Sequence, residues 1–96
     1  MNVKLIRIVT GEEIVAEVVS SETDDTITVK NGLVVLPTGQ SIGFAPWATV
    51  ISKEEPEITM NLKHVIYVAE VQDSVSQKYK EMFGNIITPQ EKKLIL

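Results

Sequence analysis

The stretch VKLIRIVTGEEIVAEVVS, residues 3–20, decides the fold. Ile6 and Ile8 fall on one face with Arg7 between them on the other. After the polar residues Thr10, Gly11, Glu12 and Glu13, Ile14, Ala16 and Val18 resume the apolar face, while Glu13 and Glu17 point away. A period of two, carried by β-branched residues, is the pattern of a pleated strand with one covered face. Two such strands separated by a short polar run containing glycine predict a tight hairpin. Gly11 is the residue able to take a positive φ there.

Outward from the hairpin the strand pattern continues. Residues 20–25 (SSETDD) are polar and acidic, of the turn-forming kind. Ile27 and Val29 alternate with polar neighbours, whereas residues 33–36 are apolar throughout, which predicts that both faces are covered there. Asn31-Gly32 between them admits two readings: a two-residue hairpin turn, or a bulge inside one long strand. Pro37-Thr38-Gly39-Gln40 is a turn, since proline presets φ and glycine closes it. Residues 42–51 carry Phe44 and Trp47 but are interrupted by Pro46, which predicts an edge or kinked strand. Ile58, Met60 and Leu62 alternate, and residues 65–71 read as a final strand. Glu70 is its only charged residue, so the pattern predicts a buried or inter-subunit strand.

Past residue 72 the period changes. Val75, Tyr79, Met82 and Phe83 recur at helical spacing after Asp73, a good N-cap residue, and Gly84 stands where a C-cap would. Thr88-Pro89-Gln90-Glu91 has the form of a second helix start, and the sequence closes on Leu94-Ile95-Leu96. The expected organisation is a β domain over residues 1–72. Residues 73–96 are expected to form a helix and tail packed on that domain or on a neighbouring subunit.

Composition narrows the function classes. A chain of 96 residues suits one soluble domain, and at this length subunit association would bury useful additional surface. With no cysteine, disulfides and thiolate metal sites are excluded. No secretion signal or spanning apolar run is visible, so a cytoplasmic setting is expected. Thirteen acidic against nine basic residues give a net charge of −4. That balance argues against tight, sequence-blind DNA binding, which draws its affinity from phosphate neutralisation. It leaves room for a local basic spot.

Residues 3–71 resemble the Sm-like (Sm/LSm) family, in its divergent form found in marine phages. Ile6 and Ile8 precede Gly11, Ile14 follows at the family's spacing, and Ala16 takes the small-residue position. Val18, Glu22 at the acidic position, Ile27 and Val29 complete the first motif, with Thr26 where the family has asparagine. Met60-Asn61-Leu62 followed by Val65-Ile66-Tyr67-Val68 is similar to the second motif, without its arginine and glycine. The resemblance implies a small, strongly bent five-stranded SH3-type barrel with, here, a C-terminal helix. It further implies a homo-oligomeric ring of five to seven subunits that binds single-stranded nucleic acid, RNA foremost. A phage-encoded protein of this kind would act in the host cytoplasm.

The candidate binding residues are Asn61, Lys63 and His64. They offer an amide for base edges, an ammonium for phosphate and a ring for stacking, and otherwise they make a polar turn. Phe44, Pro46 and Trp47 could form a stacking platform or could be core and interface residues. Glu22, Asp24 and Asp25 lack the spacing of a calcium loop and read as a solvated loop that repels phosphate. A single histidine without a serine or acid at motif spacing gives no catalytic constellation, so neither an enzyme nor a cofactor is expected. A structural or adaptor ring that binds protein partners without nucleic acid is the alternative function.

Overall fold

A computed structural model describes residues 2–20 and 25–83. Six antiparallel strands form one sheet: β1 (Val3–Ile8), β2 (Glu13–Ser20), β3 (Thr26–Pro37), β4 (Ile42–Pro46), β5 (Glu57–Asn61) and β6 (Val65–Glu70). One helix, α1 (Asp73–Phe83), follows. The order is β4-β3-β2-β1-β6, with β5 also pairing β3. The expected β hairpin is present. Gly11 has φ 94° and donates to the Ile8 carbonyl at 2.9 Å. Space around it is open, so Gly11→Ala should cost only backbone strain. A loss of about 1–2 kcal/mol in chemical denaturation is expected.

Asn31-Gly32 is a bulge within one long strand, not a hairpin turn. Val15 pairs Leu33 and Glu17 pairs Lys30, so Ala16 alone faces both residues, and Asn31 takes φ 55°. The bulge divides β3 into two halves with different partners. Residues 26–30 pair with β5, and residues 33–37 pair with β4.

The sheet differs from the expected five-stranded barrel in two ways. The segment after the Pro37 turn supplies a sixth strand, β4, which pairs only β3 and ends at Pro46. The sheet also stays open. Among the described residues β6 pairs β1 alone, and no ladder joins it to β4 or β5. A 3-10 turn, Leu62–His64, carries the chain from β5 to β6 without pairing them.

Both sheet faces are covered. One buries Ile6, Ile8, Ile14, Ala16, Ile27 and Val29, with Trp47, Ile58 and Met60 packed against them. The other buries Val3, Val15 and Leu33 beneath Tyr79 of α1, with Phe44 and Val75 alongside. The helix therefore lies on a sheet face. Of its expected stripe, Tyr79 is buried and Met82 is exposed. The Gln72 carbonyl accepts the first helical bond, from Ser76 N at 2.9 Å, which puts Asp73 in the first turn instead of at the cap. Its charge still suits the helix N-terminus. The expectations for Glu22, Asp24, Gly84, the second helix start and the closing apolar residues fall outside the described residues. No helix among the described residues is long and apolar enough to cross a membrane.

Candidate nucleic-acid interface

Asn61, Lys63 and His64 lie on the 3-10 turn between β5 and β6. Asn61 occupies its N-cap in extended conformation, and its Oδ1 accepts from Lys63 N at 2.8 Å. This fixes the amide: the carbonyl oxygen turns inward to the cap, leaving the NH2 group to donate outward. Two backbone bonds tie the turn to other loops. Leu62 N donates to the Asp25 carbonyl at 2.7 Å, and Val9 N donates to the His64 carbonyl at 2.9 Å. Lys63 and His64 are exposed.

Beside this turn is an open cleft of about 510 Å³. Ile8, Val9, Trp47 and Met60 make its apolar wall. Thr10, Thr59, Asn61 and His64 supply its polar groups. Two of the three candidate residues thus share one cleft, while Lys63 lies next to it in the chain without lining it. The aromatic platform divides: Trp47 packs with the core under the cleft, and Phe44 packs on the opposite face beside α1. Sequence reading singled out Trp47 but not its company. Thr10 and Thr59 stand about fifty residues apart, and only the pairing of β1 and β3 with their neighbours brings them to one rim.

Trp47 is held from behind. Its backbone N–H donates to the Gly32 carbonyl at 3.0 Å. A Cβ at Gly32 would lie 3.1 Å from the indole Cε3. The bulge glycine therefore lets the ring settle onto the β3 backbone.

A second polar group lies across the sheet. The register sets Arg7 opposite Glu13 on one side and Tyr67 on the other. Tyr67 Oη donates to Glu13 Oε2 at 2.6 Å, and Arg7 Nη1 donates to the Gly11 carbonyl at 2.9 Å. The hydrogen bond to Tyr67, then the nearby charges, raise the Arg7 pKa. With its guanidinium engaged on Tyr67, Glu13 and Gly11, Arg7 braces β6 to β2 across β1 and is poorly placed to take phosphate. Lys4 is likewise engaged, with Glu70. Among the described residues no group of three or more His, Cys, Asp or Glu is placed to hold a metal ion. No family model matches the sequence, and no curated protein matches it.

Proposed function

We propose that this chain is an Sm-like subunit that assembles into a homo-oligomeric ring and binds single-stranded nucleic acid, RNA foremost, in processing or regulation. The observation that carries the binding half is the convergence of Asn61 and His64 on a cleft walled in part by Trp47, with exposed Lys63 between them in the chain. A stacking surface, an edge-reading amide and a cation are the parts from which single-strand sites are made.

The assembly half rests on β6. Its outer edge carries no ladder partner among the described residues, and Ile66 and Val68 are 58% and 43% exposed. An edge without lysine, proline or an inward charge is a template for pairing with another strand. A closed ring satisfies such edges in every subunit at once. Light scattering should therefore report five to seven subunits, and a clean monomer at tens of micromolar would end the ring model.

Binding is tested with short homopolymers across a salt series. Affinity should fall as salt rises, and Lys63→Ala should weaken every sequence alike and flatten the salt slope by about one contact. The same apolar edge favours a second reading, an adaptor ring for protein partners. Absence of binding in low salt, together with an intact oligomer, selects it.

A further inference from the structure

We propose that the hollow between α1 and β4 is a docking site whose occupant is the chain's own Leu94-Ile95-Leu96, led in by Lys92 and Lys93. This goes beyond the nucleic-acid reading and does not depend on it. The hollow lies on the sheet face that carries α1. The helix covers Val3, Val15 and Leu33 there. Beside it a space of about 160 Å³ stays open, lined by Leu5, Val35, Ile42, Phe44, Val71 and Val75. An apolar cavity of roughly 150 Å³ takes a benzene-sized group, so a branched aliphatic side chain fits. A shallower extension shares Phe44 and Val75 with the hollow and runs along α1 to Lys78 and Met82. Ile42 and Met82 are 56% and 58% exposed, so both ends of this groove present bare apolar surface among the described residues.

Reach and charge select the occupant. Past Phe83 the sequence continues as GNIITPQEKKLIL, residues 84–96. From Phe83 back to Gln72, at the far end of the groove, the helix measures about 16 Å at 1.5 Å per residue. Residues 84–93 can span up to about 36 Å, enough to bring Leu94-Ile95-Leu96 back to the hollow. Ile86 and Ile87 stand closer to Phe83, reach at most about 14 Å, and stop short of that end. The charges fall in a matching order. Lys78 borders the near end of the groove, and Glu13 and Glu70 border the far end. Glu91 comes first in the sequence and Lys92-Lys93 follow. A chain returning along α1 therefore carries its acid past Lys78 and its lysines to the two glutamates. Among the described residues the bonds of those glutamates, to Tyr67, Arg7 and Lys4, all fall on Oε2. Oε1 of each is left for a further ammonium. Apolar burial supplies the attraction, and the charge order sets the direction.

The sequence has no cysteine, so introduced pairs report proximity without background. A disulfide closes only when the two Cα atoms come within about 7 Å. In the full chain, Ile95→Cys is combined with Ile42→Cys or with Gln72→Cys, two positions that line the hollow and are exposed enough to tolerate the change. The control combines Ile95→Cys with Val50→Cys, which is 96% exposed and outside the groove. Circular dichroism before oxidation, matched to the parent, ties the rates to the native fold. Under mild oxidation of dilute protein, both hollow pairs should close within one chain about tenfold faster than the control, as a docked segment's raised local concentration demands. Lys92→Glu with Lys93→Glu should slow that closure about threefold, the scale of two exposed ion pairs. Equal rates for all three pairs overturn the proposal. Cross-links chiefly between chains, seen as a band of twice the mass on a denaturing gel, overturn docking within one chain and assign the groove to a second copy. Closure unchanged by the lysine reversal overturns the charge ordering.

Discussion

Tyr79→Phe should destabilise the protein by about 3 kcal/mol, at the upper end for stranding buried polar groups, and lower the Tm by roughly 12 °C or more. The loss comes from a hydroxyl at the bulge. Glu17 N donates to Tyr79 Oη at 3.1 Å, and the Oη in turn reaches the Lys30 and Asn31 carbonyls at 3.1 and 2.9 Å. These backbone groups lie where the β2–β3 register shifts and two residues face one. The tyrosine hydroxyl fills the break. Phenylalanine keeps the ring in the core but leaves the three groups without this partner in a buried place.

A pH dependence checks the same bond network. Tyr79 is only 2% exposed, and burial pushes its pKa well above the ordinary 10.0. Above about pH 10 the unfolded chain has released this proton while the folded chain keeps it. The folded state then binds more protons, so stability falls as pH rises past that point. Tyr79→Phe has no such proton. The stability gap between parent and variant, measured by urea unfolding at pH 7, 9 and 10.5, should therefore narrow at the alkaline end.

The second large effect is expected at Gly32. Its φ is not positive, so the demand there is for space. A Cβ would meet the Trp47 ring at 3.1 Å and Ile14 Cγ2 at 3.4 Å. Gly32→Val adds two further carbons and should cost about 2–3 kcal/mol by overpacking. It should also shift Trp47 emission to the red as the indole is pushed toward water. An unchanged emission maximum would show that the ring does not rest on the glycine.

Much of this was legible in residues 3–20, because alternation of Ile6, Ile8, Ile14 and Ala16 encodes a covered face directly. The strand limits near Pro37 and the helix after residue 72 were legible through turn chemistry and the change of period. The second face was legible only at residues 33–36, whose unbroken apolar run marks both sides as covered. Val3 and Val15 read as incidental apolar residues until the helix that covers them is in place. Alternation shows which residues share a side, not whether a later element will cover the other side. Tyr79 escaped for a related reason: its stripe position predicts burial, but its hydroxyl partners are 48 to 62 residues away. Asn31-Gly32 stayed open between hairpin and bulge because local preference is the same for both, and the pairing of β5 and β4 with the two halves of β3 decides it. The site was legible in part. Asn61 and His64 were found by position, whereas the cleft that joins them to Trp47 depends on contacts across the sheet.

The pairing of β1 with β6 sets an order of events in folding. β1, β2 and β3 join neighbours in sequence, so their ladders close short loops and can form early. Lys4 must find Glu70, and Arg7 must find Tyr67, across some sixty intervening residues. The outer edge of β1 therefore waits, with Leu5 and its polar backbone uncovered, until the last strand arrives. In pulse-labelled hydrogen exchange the β2–β3 amides should gain protection first and the β1–β6 amides last. During that interval the chain is most open to pairing with the wrong copy of itself.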